Sequence, residues 1–220
     1  MLLLTFEGID GSGKSTQARR LTAFLREEGR DPLLVREPGG TELSEQLRTV
    51  LLDTRSNMHP MAELLLFSAA RTQLVAERIR PALEAGRIVI CDRFYDSTTA
   101  YQGAGRRVAD PAWLQSFHRR VTDGLVPDRT FLVALAPERA QERREANEEP
   151  ADRMEAEADA FHERVAAAYE TLAREHPQRI QRLDGRRSVE ALQATIRADV
   201  EALLRARTGT AAASTGSPEC

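Results

Sequence analysis

The sequence predicts a three-layer α/β fold in which helices cover both faces of a five-stranded parallel sheet. Five short apolar runs are typical of strands, and most are apolar at successive positions, as expected of strands buried on both faces. Segments with helical spacing alternate with these runs, which favours right-handed crossovers around a single sheet. The predicted strands cover residues 2–7, 32–37, 87–92, 129–135 and 179–184.

Six further segments have apolar residues at helical spacing. The segment at 61–84 is apolar on more than one face, so a helix there is expected to be buried on two sides. From the sequence alone, its second side lies equally well within the domain or against a second copy of the chain. The predicted helices cover residues 14–28, 42–52, 61–84, 111–124, 159–175 and 189–206.

The composition indicates one ordinary soluble globular domain. With 220 residues, of which 41% are apolar and 30% charged, the chain can bury one good core. We assign this domain to residues 1–207. The tail at 208–220 has no large apolar residue apart from its final cysteine, and it is predicted to be disordered.

Charge and cysteine content argue against several classes of protein. A net charge of −3 argues against a protein that coats nucleic acid. Cys91 and Cys220 are far apart, so neither a disulfide framework nor a cysteine metal site is expected. This cysteine usage suits a reducing cytoplasm, and no apolar stretch approaches the length that crosses a bilayer. We therefore expect a cytoplasmic protein with no nucleic-acid or membrane partner.

The glycine-rich stretch after the first strand is the strongest functional signal. Residues 8–15 fit G-x-x-x-x-G-K-[ST] at every fixed position, between a predicted strand and a predicted helix. Glycines let backbone N–H groups approach an anion, and the helix N-terminus adds its positive end. The stretch therefore predicts a P-loop NTPase-type fold, with Lys14 on the outer phosphates and Ser15 as a ligand of Mg²⁺. The predicted ATP-binding residues are Gly8, Asp10, Gly11, Ser12, Gly13, Lys14, Ser15 and Thr16.

Asp10 lies inside this loop, where an anion repels phosphate. One interpretation is that Asp10 forms a turn and caps the helix. The other is that its carboxylate contacts something besides the triphosphate, such as a sugar hydroxyl or a metal ion.

Two other polar stretches follow predicted strands, at 36–41 and 92–103. The carboxyl ends of parallel strands are where ligands bind in open α/β sheets. Between these stretches, Phe67 and Arg71 lie four residues apart and hence on one side of a helix. An aromatic plane beside a guanidinium can stack on a base and bond its edge, although spacing alone favours a core Phe beside a surface Arg.

Five stretches, in this order, resemble thymidylate kinases of the bacterial type. They read EGIDGSGKST, REPGGT, FSAART, CDRFYDSTTAYQGAG and DRMEAEADAFHERVAAAY, and the resemblance covers about residues 1–205. It implies transfer of the γ-phosphoryl group of ATP to dTMP with Mg²⁺, a step of dTTP synthesis. It also implies a homodimer, which we place through the helix around 61–84.

The resemblance implies roles for residues of the acceptor site. Phe67 matches the residue that stacks on thymine, and Arg71 matches the one that bonds its carbonyl edge. Tyr101 matches the ring that crowds the sugar 2′ position and favours deoxyribose. The implied acceptor site comprises Glu37, Phe67, Arg71, Arg93, Ser97, Thr98, Tyr101 and Gln102.

The same resemblance implies roles near the phosphates. Arg93 matches the arginine on the acceptor phosphate, with Asp92 beside it near Mg²⁺. Asp10 matches the loop acid that faces the acceptor's sugar and phosphate. The implied metal ligands are Ser15 and Asp92.

The charged segment at 138–155 is the expected source of a further cation. A charge run alone is usually a solvated helix face, but this one resembles the lid of the family. Some relatives carry an arginine inside the glycine loop where this chain has Gly11, so a cation for the migrating group is expected from the lid. Arg153 is the first choice and Arg143 the second, with Arg144 able to face solvent. The predicted catalytic residues are Asp10, Lys14, Arg93, Arg143 and Arg153.

Other functions remain to be weighed against a dTMP kinase. A P-loop kinase for another nucleoside monophosphate or for a deoxynucleoside is the nearest alternative. A GTPase would need an Asn-Lys-x-Asp stretch, which the sequence lacks, and a nucleic-acid motor would need a larger basic surface. The intact Lys14, Ser15, Asp92 and Arg93 argue against an inactive binding module.

Overall fold

The computed structural model describes residues 1–146 and 151–213, and its strands form one parallel sheet with the order β2-β3-β1-β4-β5. The fold class predicted from the sequence is confirmed. All five predicted strands are present, and their ends differ from prediction by at most one residue. The strands are β1 (Leu2–Glu7), β2 (Pro32–Arg36), β3 (Ile88–Asp92), β4 (Arg129–Ala134) and β5 (Ile180–Asp184).

The six predicted helical segments are also helical in the structure, and short helices are added at the carboxyl ends of β3 and β4. The helices are α1 (Lys14–Glu27), α2 (Glu42–Leu52), α3 (Pro60–Leu74), α4 (Arg80–Glu84), α5 (Tyr95–Thr98), α6 (Pro111–Val121), α7 (Pro137–Glu145), α8 (Asp159–Glu175) and α9 (Val189–Ala213). None of these described helices combines the length and the apolar character that a membrane span requires.

Two π-helical segments interrupt what the sequence predicts as simpler structure. Val75–Ile79 separates α3 from α4 within the predicted helix at 61–84. Pro81 has no N–H to donate, and its ring crowds the preceding turn. The hydrogen bonds there shift to the π-helical pattern, in which the Arg80 N–H bonds to the Val75 carbonyl five residues earlier. The second π-helical segment, Thr99–Gly105, follows α5.

The predicted tail differs from prediction where the structure describes it. Helix α9 continues to Ala213, beyond the boundary set at 207. Alanine has the highest helix propensity, and the run at 211–213 extends the helix. Residues 214–220 of the tail and 147–150 of the lid lie outside the described residues.

The central strand β1 divides the core into two halves. Leu2, Leu4 and Phe6 point to one face, where they pack with α1 and α9 in a single apolar cluster. Leu3 points to the other face and packs with residues of α3, the first π-helical segment and α4. Both faces of β1 are therefore buried, and its carboxyl end continues directly into the glycine loop.

The register of the sheet brings three polar stretches to one edge. Phe6 of β1 pairs with Asp92 of β3, and Arg36 of β2 pairs with the same residue. The loops that follow these three strands therefore leave the sheet side by side, at the carboxyl edge where α/β proteins bind ligands.

Candidate active site

The glycine loop has a backbone that side chains would disrupt. Gly8, Gly11 and Gly13 have φ values of 139°, 84° and 98°, in the region that favours glycine. A Cβ atom on Gly11 would lie 2.3 Å from the carbonyl oxygen of Ala140, because α7 packs against the loop. Gly13 precedes α1 and has no side chain with which to cap it, so the first N–H groups of α1 are available to an anion.

Asp10 does not cap α1; it holds two cations beside the loop. Its Oδ1 lies 2.8 Å from Nζ of Lys14 and 2.7 Å from Nη2 of Arg93, and Oδ2 accepts a 3.2 Å hydrogen bond from the Tyr101 hydroxyl. Burial alone would raise the pKa of Asp10, but the charges of Arg93 and Lys14 outweigh burial and hold that pKa well below its usual range. Asp10 is therefore a fixed negative charge that orients Arg93 and Lys14.

Arg93 occupies a constrained position at the end of β3. Its φ is 74°, which is uncommon for a residue with a side chain. Its Nη1 donates to Ser97 Oγ at 3.0 Å and to the Tyr169 hydroxyl at 3.2 Å, while its guanidinium lies 5.0 Å from the centre of the Tyr101 ring. These contacts direct the guanidinium toward the space between the loop and α3.

Glu7 and Tyr169 support Arg93 and were not predicted from the sequence. Glu7 is fully buried and accepts hydrogen bonds from Ser97 Oγ at 2.6 Å, the Tyr169 hydroxyl at 2.8 Å and the Phe94 N–H at 2.7 Å. Burial and the nearby charge of Asp96 raise the pKa of Glu7 to about 7. An acid at the end of an otherwise apolar strand is the signal that would have identified Glu7.

The eight residues predicted for the acceptor site line one cavity beside the glycine loop. The structure brings together Glu37, Phe67, Arg71, Arg93, Ser97, Thr98, Tyr101 and Gln102. Asp10 also lines this cavity, so the loop and the cavity share a wall. The lining residues that the sequence did not predict are Pro38, Arg48, Leu52, Asp152 and Met154.

Arg71 is buried, which excludes a surface arginine beside a core Phe. Its side chain is 2% exposed, and its Nε lies 2.7 Å from Glu37 Oε2. Its Nη1 donates to Thr98 Oγ1 at 2.8 Å, and Nη2 donates to the Phe94 carbonyl at 3.2 Å. Burial raises the pKa of Glu37 to about 7 against the opposing charge of Arg71. Oε1 of Glu37 has no partner among the described residues, so this acid presents a free acceptor.

Two of the lid arginines, Arg143 and Arg144, contact the glycine loop. Arg143 donates to the Ser12 carbonyl at 3.3 Å and to the Gly185 carbonyl at 3.0 Å. Arg144 does not simply face solvent, since its Nη1 donates to the Asp10 carbonyl at 3.1 Å. Both residues of α7 therefore donate hydrogen bonds to backbone carbonyls of the glycine loop, and Arg143 also reaches the turn after β5.

Arg153, the first choice from the sequence, lies elsewhere. Its Nη1 is 2.6 Å from Oε2 of Glu63, and its Nε donates to the Leu51 carbonyl at 2.7 Å. Glu63 is fully buried on α3 and needs cationic partners, which explains why Arg153 is drawn away from the loop. This arrangement does not support Arg153 as the cation of the migrating group.

The two predicted metal ligands have chemistry that suits Mg²⁺, and Ser15 lies in the first turn of α1, directly after the glycine loop. Asp92 ends β3, and its Oδ1 is buried without a partner among the described residues. Carboxylate and hydroxyl oxygens are hard ligands, and Mg²⁺ commonly takes one or two of them together with phosphate oxygens and water. Within the described ranges, no group of three or more His, Cys, Asp or Glu side chains forms a metal site.

Comparison with known proteins gives one consistent result. A family model described as thymidylate kinase matches residues 6–196. Curated thymidylate kinases from Chlorobium chlorochromatii and Desulfovibrio desulfuricans are 45% and 47% identical to this chain; the alignments cover 93% and 94% of it and 96% and 98% of the relatives. A crystal structure of thymidylate kinase from Ehrlichia chaffeensis superposes with a TM-score of 0.73 at 31% identity, covering 91% of this chain and 98% of that one.

Proposed function

The chain belongs to the thymidylate kinase family, and we propose that it transfers the γ-phosphoryl group of ATP to dTMP, giving dTDP. The observation that carries this proposal is the ion pair between Asp10 of the glycine loop and Arg93 of the neighbouring cavity. A loop suited to a triphosphate thus adjoins a cavity suited to a second nucleotide. Direct transfer between two nucleotides requires this adjacency.

We assign the base of dTMP to the aromatic end of the cavity. Phe67 stacks on the thymine ring, and Arg71 donates to one of its carbonyl oxygens. We place Tyr101 on the 2′ side of the sugar. A ring there would leave a ribose 2′-hydroxyl buried without a partner, at a cost of about 1–3 kcal/mol, and would therefore favour deoxyribose. The other assigned residues of the acceptor site are Glu37, Ser97, Thr98 and Gln102.

We assign the phosphate of dTMP to Arg93, which Asp10 holds at the boundary of cavity and loop. Two hydroxyl groups, from Ser97 and Tyr169, fix the same guanidinium from the other side. With the Tyr101 hydroxyl, which accepts from Nη2 at 3.2 Å, four side chains fix this cation, so little reorganisation accompanies binding of the acceptor.

Transfer of the phosphoryl group needs alignment and positive charge rather than covalent help from the protein. Lys14 supplies charge to the outer phosphates of ATP. We propose that Arg144 and Arg143, rather than Arg153, supply the charge that Gly11 cannot, because they already contact the loop or the turn beside it. The lid also excludes water, which would otherwise hydrolyse ATP.

Mg²⁺ is proposed as the metal that accompanies ATP. Ser15 and Asp92 would hold it, directly or through water, and the unpartnered Oδ1 of Asp92 supports this choice. The ion would neutralise phosphate charge during transfer.

We also propose that residues 1–207 act as one catalytic domain in a cytoplasmic homodimer. Cys91 is a buried free thiol, which is compatible with a reducing compartment. Leu65 on α3 is 51% exposed, and Leu43 and Val50 on the neighbouring α2 are 45% and 48% exposed. An apolar face formed by these two helices supports an interface with a second copy.

An acceptor panel tests the proposed function. ATP consumption is measured with dTMP, dUMP, dCMP, AMP and GMP offered in turn, with and without Mg²⁺. We expect dTMP to give the highest kcat/KM and omission of Mg²⁺ to abolish turnover. A different best acceptor would contradict the assignment of the cavity and favour another nucleotide kinase of the same fold.

A further inference from the structure

A buried acid lies behind the base end of the acceptor cavity. Glu63 is on α3, four residues before Phe67 and eight residues before Arg71. It therefore lies on the same side of that helix as these two residues. It is fully buried, yet it does not line the cavity itself. Its carboxylate therefore acts on the ligand only through the residues it contacts.

Glu63 accepts four hydrogen bonds, and these account for both of its oxygens. Arg106 binds it in a bidentate manner, with Nε 3.1 Å from Oε1 and Nη2 3.0 Å from Oε2. Arg153 Nη1 lies 2.6 Å from Oε2, and Gln102 Nε2 lies 2.8 Å from Oε1. Two guanidinium groups at these distances keep the carboxylate ionised.

The pKa of Glu63 agrees with this geometry. Burial alone would raise the pKa, but hydrogen bonds from Arg106, Gln102 and Arg153 outweigh burial and lower it. An ionised carboxylate has no proton to donate, so it can only accept hydrogen bonds. The side-chain amide of Gln102 must therefore turn its NH₂ group toward Glu63.

We propose that Glu63 is a positioning residue for base selection, because it fixes the Gln102 amide with its oxygen toward the base. Gln102 is 2% exposed and lines the cavity with Phe67 and Arg71. No described residue donates to its Oε1, which is free to accept a hydrogen bond from a ligand. This inference rests on the proposed function, since it concerns how the acceptor cavity selects thymine.

The fixed amide selects by the pattern of donors and acceptors on the base. Beside Arg71, which is always a donor, the Gln102 oxygen offers an acceptor. Thymine matches this pair with a carbonyl oxygen and the neighbouring N3–H. Cytosine presents the opposite pattern, an amino group and an N3 without hydrogen, so both contacts become unfavourable. Without Glu63, the amide could rotate and offer its NH₂ group to cytosine.

The test compares dTMP with dCMP as acceptors for wild type and Glu63→Gln. Glutamine at 63 keeps the shape but offers an NH₂ group as well as an oxygen, so it no longer dictates the orientation of Gln102. We expect the ratio of kcat/KM for dTMP to that for dCMP to fall about tenfold or more, with KM for ATP unchanged.

Glu157→Gln is the matched control. Glu157 also pairs with Arg106, with its Oε1 2.6 Å from Nη2, so the variant makes the same chemical change beside the same arginine. It leaves the contact between Glu63 and Gln102 intact. The acceptor ratio of this variant should equal that of wild type. If Glu63→Gln does not fold, Gln102→Asn withdraws the amide from Glu63 by one methylene and leaves the arginine pairs intact; it should lose discrimination in the same way.

The outcomes separate the two proposals. A purely structural role of Glu63 would lower kcat/KM for both acceptors equally and leave their ratio unchanged. An unchanged ratio of dTMP to dCMP in a folded Glu63→Gln, or in Gln102→Asn, would overturn this inference and leave the proposed function standing. Wild type that does not prefer dTMP would instead overturn the proposed function, and the inference with it.

Discussion

Two buried acids, Glu37 and Glu63, hold arginines at and behind the acceptor cavity. Arg71 pairs with Glu37 inside the cavity, and Arg153 pairs with Glu63 behind it. A buried charge without any partner would cost about 3–5 kcal/mol, so each acid requires a cation from another part of the sequence, and Glu63 has a second one in Arg106. The consequence for function is that Arg153, the first choice from the motif, contacts Glu63 and the Leu51 carbonyl, whereas Arg143 and Arg144 of α7 contact the glycine loop.

Replacing Arg144 by Ala tests the assignment of the transferring cation. We expect kcat to fall by about 10²–10³ because a preorganised charge is lost, while KM for dTMP hardly changes. Arg139→Ala is the control on the same helix, since Arg139 is exposed and its ion pair among the described residues is with Glu142 at the surface. The measurement is kcat and KM for both variants by steady-state kinetics. An unaltered kcat in Arg144→Ala would contradict the assignment.

His118 makes stability depend on pH. Its ring is buried, with Nε2 2.9 Å from Thr99 Oγ1 and Nδ1 without a partner among the described residues. Burial, together with the charge of Arg71, lowers the pKa of His118 from 6.5 to about 3. The folded state thus resists protonation, and the free energy of unfolding should decline as pH falls from about 6.5 toward 3.

His118→Gln removes this titration and can keep the bond to Thr99. Urea unfolding of both proteins between pH 7 and pH 4.5 should show wild type losing stability relative to the variant as pH falls. His176→Gln serves as the control for a change of histidine outside the core. A difference between wild type and His118→Gln that does not vary with pH would contradict this account.

At the scale of elements, the contact between α7 and the glycine loop links the lid to the phosphate site. Gly11 has a φ of 84° and no room for a Cβ beside Ala140 of α7. Gly29 has a similar φ of 73° but open space around it. Substitution at Gly29 therefore strains the backbone only, whereas substitution at Gly11 strains the backbone and also displaces α7.

Gly11→Ala and Gly29→Ala form a matched pair. Both should lose stability by about 1–3 kcal/mol through strain at positive φ. Only Gly11→Ala should also raise KM for ATP, because α7 must move away from the loop. Melting temperatures and ATP kinetics of the two variants are the measurements, and equal KM values for ATP would show that α7 does not constrain the loop.

Much of this architecture could be predicted because the signals were local. Apolar runs indicated the strands, and Gly8 to Ser15 indicated the phosphate loop within a few residues of sequence. The pairing of Glu63 with Arg153 could not be predicted, since it joins residues 90 apart and depends on how α3 packs. The support of Arg93 by Glu7 and Tyr169 is equally non-local, and the π-helical segments leave no periodic signal.

At the scale of the whole molecule, the exposed apolar residues of α2 and α3 provide the test of assembly. Leu65→Glu places a charge on this face, and we expect it to convert the proposed dimer to a monomer. Val126→Glu is the control, because Val126 is similarly exposed at 53% but precedes β4. Sedimentation velocity distinguishes the states, and a dimeric Leu65→Glu would place the interface elsewhere.

The central claim is that one chain holds a triphosphate on its glycine loop and a pyrimidine nucleotide in the adjoining cavity. A crystal structure with a non-hydrolysable ATP analogue and dTMP measures this directly. The account predicts the thymine ring on Phe67, the dTMP phosphate at Arg93 and the triphosphate along residues 8–15. A thymine ring bound away from Phe67 would contradict it.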